Sequence, residues 1–188
     1  MGTYEGNIMN LPEHLGGHCG ITHIDLAILN YFKNNGATSY LDIGCGPGGM
    51  LEEALSLGFD VQGVDGDFIV QRTNPNKVII HDYTTGPIIL DKRYDLVWSC
   101  EFVEHVYEEY LPNFMKTFQA GKTVCMTYAP PKKKGYHHVN LKPEKYWIRT
   151  FESYGFKFNK SLTTHLRSIS SMDREFFRNY GLIFENTQ

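Results

Sequence analysis

A glycine-rich stretch is the feature of the sequence that points most directly to ligand chemistry. Residues 41–49 read Leu-Asp-Ile-Gly-Cys-Gly-Pro-Gly-Gly. Glycines at a strand-to-helix turn let the backbone approach a ligand that any Cβ would obstruct. The N–H groups at the start of the following helix add a positive dipole end. The stretch predicts a nucleotide-like ligand, and the spacing Gly44-x-Gly46-x-x-Gly49 fits a dinucleotide as well.

Three aspartates narrow the choice of ligand. Asp42 lies two residues before Gly44, and Asp65 and Asp82 end the next two predicted strands. In an open parallel sheet, ligands lie beyond these strand ends. An acid at Asp42 suits a cationic amino-acid tail, Asp65 suits ribose hydroxyls, and Asp82 suits an adenine amino group. S-adenosylmethionine carries all three groups, so the set favours this cofactor over a nicotinamide dinucleotide. For any single aspartate, the alternative is a turn cap.

The elements that must position these residues alternate between strands and helices, which is typical of an α/β domain with a parallel sheet. Strands are predicted at 39–43, 61–65, 77–81, 94–99 and 122–128, with closing strands at 156–169 and 182–185. Helices are predicted from a capping box at 22–25 to Gly36, around 51–55, from Val103, from Pro112 to Gly121, from Pro143, and at 173–180.

Four segments together resemble the successive motifs of class I S-adenosylmethionine-dependent methyltransferases. They are residues 42–48, 64–65, 81–82 and 94–106. The resemblance spans residues 38–150 and is closest to the small stand-alone type 11 group, including bacterial and phage members. It implies a Rossmann-like, seven-stranded, mostly parallel sheet with helices on both faces and the last strand antiparallel.

The resemblance also implies S-adenosylmethionine as cofactor and S-adenosylhomocysteine as product. The glycine loop would contact the methionine part, the acid after the second strand would bind the ribose, and the residues after the third strand would flank the adenine. Cys100 would pass near the sulfonium. The residues predicted to bind the cofactor are Asp42, Gly44, Cys45, Gly46, Asp65, Gly66, Asp82, Tyr83 and Cys100.

Histidines mark the places where a methyl acceptor is predicted to bind. A hydroxyl acceptor must lose a proton, and histidine suits that task near neutral pH. The loop at 129–140 contains His137 and His138, of which one need face the methyl group; a solvated loop is the alternative. His105 follows Glu101 by four residues on a predicted helix. It is interpreted as shaping the cofactor pocket, with catalysis as the minority interpretation.

The chain is predicted to form one domain with three parts. An N-terminal lid and helix occupy 1–36, the cofactor-binding core 37–128, and the substrate-side loop and closing strands 129–188. Residues 15–20 read Leu-Gly-Gly-His-Cys-Gly, and glycines this dense indicate a mobile or tightly turned cover. No metal is predicted, because His14, His18, His137 and His138 lack the helical spacing of a metal site.

Composition limits the environment and the partners. The chain has 188 residues, of which 41% are hydrophobic and 21% charged, as in soluble globular domains. A net charge of −3 argues against an extended nucleic-acid surface. The four cysteines include no CxxC pair, and neither a leader nor a membrane-spanning run is evident. These features predict a protein of the cytoplasm, that of a host cell if the gene is viral, without a membrane partner. A monomer or homodimer is expected.

The favoured function is O-methylation of a small polar acceptor, such as a sugar or glycan hydroxyl. N-methylation of RNA or protein is the first alternative. It loses support because residues 99–102 read Ser-Cys-Glu-Phe, where methylation of base amino groups favours Asn/Asp-Pro-Pro-Tyr/Phe. A non-catalytic module that binds S-adenosylmethionine is the second alternative, and a nicotinamide dehydrogenase is the third.

Overall fold

One seven-stranded sheet runs through the computed structural model, which describes residues 11–188. Residues 1–10, which include the start of the predicted lid, lie outside this range. The strand order is β3-β2-β1-β4-β5-β7-β6. The strands are β1 (Ser39–Ile43), β2 (Asp60–Asp65), β3 (Val78–Ile80), β4 (Tyr94–Ser99), β5 (Gly121–Met126), β6 (Phe156–Phe158) and β7 (Leu182–Asn186).

The strand directions confirm the predicted Rossmann-like topology. β1 to β5 pair in parallel, whereas β7 lies antiparallel to both β5 and β6. From β1 the chain extends the sheet to one side through β2 and β3, and then continues on the other side with β4. Since the connections leave β1 and β4 in opposite directions, a crevice opens beyond their carboxyl ends, where ligands of such sheets bind.

The two central strands explain where the core lies. All five residues of β1 are buried, and Trp98 of β4 packs into one core cluster while Val97 packs into the other. Alternate side chains therefore point to opposite faces. Helices cover both faces, as predicted; they are α1 (Leu26–Asn34), α2 (Gly49–Ser56), α3 (Leu111–Phe118), α4 (Glu144–Ser153), α5 (Lys160–Ile169) and α6 (Phe176–Tyr180).

The first helix begins later than the predicted capping box. Asp25 is the N-cap of α1, and its side chain accepts a hydrogen bond from the Ile28 N–H. Thr22, the predicted cap, instead accepts from the N–H of Gly49 at the start of α2. The prediction of a helix was confirmed, but its start was wrong by three residues because Asp25 supplies a stronger cap.

Two further predicted elements were wrong. Residues 101–107 form turns and are followed by a short 3-10 helix, Glu108–Tyr110, so Glu101 and His105 do not share a helix face. The Glu104 carbonyl accepts N–H groups from the 129–140 loop, and it is therefore not free for a helical bond. The predicted strand at 156–169 ends at Phe158, because Asn159 caps α5.

Within residues 11–188, no helix combines the length and the apolar character that crossing a bilayer requires.

Candidate active site

A cavity of about 290 Å³ lies beyond the carboxyl ends of β1, β2 and β4. The glycine loop, the turns at 100–107 and the N-terminal segment 14–23 contribute to its wall. His105 and His138 also line it. All nine residues that the sequence predicts to bind the cofactor line this cavity: Asp42, Gly44, Cys45, Gly46, Asp65, Gly66, Asp82, Tyr83 and Cys100.

The first glycine of the loop is required by both backbone conformation and space. Gly44 has φ 75°, in the left-handed region, and its N–H donates to the Val64 carbonyl at 2.8 Å. A Cβ built at Gly44 would lie 2.6 Å from Cδ2 of Phe102. A larger residue would therefore displace Phe102 and strain the turn that leads from β1 into α2.

Asp42 places a carboxyl group inside the protein at the end of β1. It is 3% exposed, and the Tyr40 hydroxyl donates to its Oδ2 at 3.3 Å. Burial raises the pKa of Asp42 to about 8, and the negative charge of Asp65 adds to the rise, whereas the Tyr40 hydrogen bond opposes it. Among residues 11–188, no cation forms a salt bridge with Asp42. A ligand ammonium would supply the missing charge.

Asp65 ties the end of β2 to the glycine loop. Its carboxylate accepts from the Gly46 N–H at 2.7 Å, the Asp67 N–H at 2.8 Å and the Arg72 guanidinium at 3.0 Å. Arg72 also donates through Nε to the Gly46 carbonyl at 2.8 Å. Burial raises the pKa of Asp65, and these donors oppose the rise. Arg72 and Asp65 thus fix the position of the loop.

The N-terminal segment reaches the acids at the ends of β2 and β3. His14 Nε2 lies 3.0 Å from Asp82 Oδ2, and His18 Nε2 lies 3.0 Å from Asp67 Oδ2. Asp82 also caps a turn, because its Oδ1 accepts from the Thr84 N–H at 2.8 Å. Although burial opposes it, these hydrogen bonds lower the pKa of Asp82. Two histidine–aspartate pairs therefore hold segment 14–23 against the sheet edge.

A second cluster of ionisable groups lies at the far side of the cavity, where Glu104, His105 and His138 meet. The Glu104 side chain is fully buried, and burial together with Glu101 raises its pKa well above the usual range. Burial, followed by the nearby His138, lowers the pKa of His105 to about 4. His138 Nδ1 lies 3.0 Å from the Lys133 carbonyl, so Nδ1–H donates there and Nε2 keeps its lone pair.

Of the two adjacent histidines in the 129–140 loop, only His138 is among the residues that line the cavity. His137 turns away, with Nδ1 3.7 Å from a carboxylate oxygen of Glu13 and its ring edge against Tyr107. The sequence left open which of the two faces the ligand. The geometry brings His138 and His105 together and leaves His137 outside.

Backbone strain concentrates in the same segments. Four non-glycine residues of the described chain have positive φ, and all four lie in segment 14–23, in the turn after β4 or in the 129–140 loop. They are Cys19 (49°), Glu101 (51°), Lys132 (73°) and His137 (45°). Each such residue costs on the order of 1–3 kcal/mol, and this strain is typical of functional sites.

Sequence reasoning missed Asp67 and Arg72. Asp67 Oδ1 accepts from the N–H groups of Ile69 and Val70, which closes the turn after β2. The Asp-Gly-Asp sequence at 65–67 was the available signal for Asp67, because a second acid after a strand end is typical of a turn cap. Nothing in the local pattern marks Arg72, which becomes part of the site only when the loop folds back.

The comparisons with known proteins agree with this geometry. The family model described as "Methyltransferase domain" matches residues 22–182. The chain therefore belongs to the methyltransferase domain family, and the cofactor of this class I fold is S-adenosylmethionine. No curated protein sequence matches the chain at a significant level.

Solved structures of similar fold include three methyltransferases. A TehB-like S-adenosylmethionine-dependent methyltransferase from Corynebacterium glutamicum ATCC 13032 is 14% identical, with 86% of each chain covered and a TM-score of 0.63. Magnesium protoporphyrin IX methyltransferase from Synechocystis PCC 6803, with bound S-adenosylmethionine, is 16% identical, with 85% of this chain and 74% of that one covered and a TM-score of 0.56. The sugar N-methyltransferase KedS8 from Streptoalloteichus sp ATCC 53650 is 11% identical, with 86% of this chain and 85% of that one covered and a TM-score of 0.57.

Proposed function

We propose that the chain transfers a methyl group from S-adenosylmethionine to a hydroxyl of a small polar acceptor, such as a sugar or glycan. The observation that carries this proposal is the single cavity in which the cofactor-type aspartates and His138 face the same space. A hydroxyl acceptor needs a group that removes its proton, and His138 offers a free Nε2 there.

In this proposal the cofactor is held by residues at three strand ends. Asp42 pairs with the ammonium group, and the glycine loop contacts the methionine part. Asp65 and Gly66 lie along the ribose, while Asp82 and Tyr83 flank the adenine. The fit rests on the buried carboxyl of Asp42, which lines the cavity at the end of β1. Cys100, which lines the cavity after β4, then lies beside the sulfonium.

The reaction is an in-line displacement at the methyl carbon. The new O–C bond forms as the S–C bond breaks, and the bond's electron pair stays on sulfur, which becomes the thioether of S-adenosylhomocysteine. The acceptor's proton passes to Nε2 of His138. The protein's contribution is alignment of oxygen, carbon and sulfur, together with proton removal.

We further infer that segment 14–23 is a lid. Its residues form part of the cavity wall, and a Cβ at Gly17 would lie 2.8 Å from Nδ1 of His105. The segment therefore packs against both the cofactor side and the acceptor side of the cavity. Closure of such a segment excludes water from the transfer.

The test is methyl transfer to a panel of neutral sugars, amino sugars and glycans, followed by single-turnover kinetics with the best acceptor. His138→Ala is expected to slow transfer about 100- to 10,000-fold while S-adenosylhomocysteine affinity is unchanged. His165→Ala, on α5 and outside the cavity, is the matched control. If His137→Ala and His138→Ala both leave single-turnover transfer intact, the base assignment is wrong. Transfer to amino sugars alone would contradict O-methylation.

A further inference from the structure

Three side chains at the acceptor end of the cavity present ligand atoms to one another. One carboxylate oxygen of Glu104 and one ring nitrogen each of His105 and His138 all lie within 4.8 Å of one another. We propose that these three residues bind a divalent first-row transition-metal cation. Of the four histidines considered from the sequence, only His138 belongs to this site, because His14 and His18 pair with Asp82 and Asp67 and His137 lies outside the cavity.

The unsatisfied atoms of the cluster are the main argument for a cation. Both carboxylate oxygens of Glu104 and Nδ1 of His105 are buried and have no hydrogen-bond partner among the described residues. A buried polar atom without a partner costs about 1–3 kcal/mol, and more if it is charged. A cation would satisfy these atoms together.

The second argument is the orientation of His138. Its Nδ1–H donates to the Lys133 carbonyl, which fixes the ring and leaves Nε2, which lies beside Gly135, with its lone pair. Metal-binding histidines are held in this way by a backbone carbonyl or carboxylate. Ligand atoms that lie about 2.1 Å from one cation at tetrahedral angles are roughly 3.4 Å from one another. Side-chain shifts of up to about 1 Å would therefore close the site.

Backbone hydrogen bonds bring the ligands together from two distant loops. The Glu104 carbonyl accepts from the Val139 N–H at 2.9 Å and from the Asn140 N–H at 3.1 Å. This pairing places the residue before Val139, which is His138, beside the turn that carries Glu104 and His105. Because the ligands come from two loops rather than from one helix, helical spacing gave no sign of them.

The donor set selects the class of metal. Two imidazoles and one carboxylate suit Mn²⁺, Fe²⁺, Co²⁺ or Zn²⁺, whereas Mg²⁺ and Ca²⁺ prefer oxygen ligands. Three protein ligands leave at least one coordination position open, as in catalytic metal sites. Both histidines line the cavity, so the open position faces the space assigned to the acceptor.

The role of the cation rests on the proposed function and changes one step of it. The acceptor hydroxyl would bind the open position, where the positive charge lowers its pKa. Its proton would pass to Glu101, which lines the same cavity. The oxygen then forms the O–C bond as the S–C bond breaks. His138 in this case acts as a ligand and does not take the proton.

The experiment uses Co²⁺ as probe on the full chain after treatment with a chelator. We expect visible d–d absorption that saturates at one Co²⁺ per chain and persists in millimolar Mg²⁺. Glu104→Gln and His138→Ala should each weaken Co²⁺ binding at least about 100-fold. His137→Asn is the matched control, because Asn tolerates a positive φ and the ring lies outside the cavity; it should bind Co²⁺ as the wild type does. Circular dichroism and S-adenosylhomocysteine binding check that every variant folds.

Two results would overturn the site: no saturable Co²⁺ spectrum, or a spectrum that Glu104→Gln and His138→Ala leave unchanged. The site and the proposed function fail separately. Tight Co²⁺ binding without methylation of any hydroxyl acceptor contradicts the function and supports the site. Hydroxyl methylation at an undiminished rate in the chelator-treated protein contradicts the role of the cation in the reaction and supports His138 as the base.

Discussion

Replacing Asp42 by Asn should make the protein more stable and a weaker binder of its cofactor at the same time. The carboxyl group is buried, and its pKa is raised to about 8 in the folded chain. In the unfolded chain its pKa returns to about 3.9. Between about pH 4 and about pH 8 the unfolded chain has lost the Asp42 proton, while the folded chain still holds it. The contribution of Asp42 to the free energy of unfolding therefore falls as the pH rises through this range.

The magnitude follows from the shift. At pH 7 the pH lies roughly three units above the pKa of Asp42 in the unfolded chain, and each unit lowers the free energy of unfolding by about 1.4 kcal/mol. Asp42 therefore destabilises the folded chain by at most about 4 kcal/mol. Water entry and relaxation reduce it, so we expect Asp42→Asn to raise the free energy of unfolding by about 1–3 kcal/mol. For a chain of this length that is about 2–4 °C in Tm for each kcal/mol.

Cofactor binding should change in the opposite direction. At pH 7 ionisation of Asp42 costs about 1.4 kcal/mol, and removal of one partner from a buried ion pair costs about 3–5 kcal/mol. The difference, roughly 2–4 kcal/mol, corresponds to about 30- to 1,000-fold weaker binding of S-adenosylhomocysteine by Asp42→Asn. Tyr40→Phe, which removes the hydroxyl beside Asp42 and keeps its charge, should bind more tightly than Asp42→Asn.

The pH dependence distinguishes the ionised carboxylate from a merely polar group. The ligand ammonium lowers the pKa of Asp42 in the complex, so binding releases a proton below pH 8. The affinity of the wild type should therefore rise by up to about tenfold per pH unit between pH 6 and 7.5, below the range where α-amino groups lose their own proton. Calorimetric titration in buffers of different ionisation enthalpy measures both quantities. Equal affinity and equal pH slope in wild type and Asp42→Asn would refute the assignment.

Two further predictions concern stability. Arg72→Met leaves the buried Asp65 carboxylate without its guanidinium partner, and we expect urea denaturation to show a free energy of unfolding that is about 3–5 kcal/mol lower. The double variant R72M/D65N should regain much of this loss. A further additive loss in the double variant would show that the two charges do not interact. Phe184→Ala removes a fully buried ring stacked on Phe151 with centroids 4.2 Å apart, and it should cost about 3–5 kcal/mol, whereas Ile89→Ala, which is 77% exposed, should change Tm by less than about 2 °C.

The central strands were the most predictable part of the fold. β1 and β4 have the bounds that the sequence predicts, because strands buried on both faces leave short apolar runs between clear breaks. Helical spacing was less informative. Val103 and Val106 fit a helix, but the Glu104 carbonyl bonds to a distant loop instead. In α5, β-branched Thr163 and Thr164 continue the apparent strand pattern from β6 and conceal the helix.

The candidate site was predictable where topology alone determines position. Residues at the carboxyl ends of parallel strands must meet at one edge, which is why Asp42, Asp65 and Asp82 could be grouped from the sequence. The meeting of Glu104 with His138 could not be predicted, since it depends on two backbone hydrogen bonds between irregular loops. Such contacts follow no repeat along the chain.

The pairs His14–Asp82 and His18–Asp67 bear on the kinetics of the proposed enzyme. If segment 14–23 opens and closes as proposed, both pairs must separate each time S-adenosylhomocysteine leaves and fresh cofactor enters. The frequency of that opening would set a ceiling on turnover that improvements in the chemical step do not raise. A pre-steady-state burst of methylated product, followed by a slower steady rate, would be the signature of this ceiling. Shortening His14 and His18 to Ala would then raise the steady rate while the burst rate stays the same or falls.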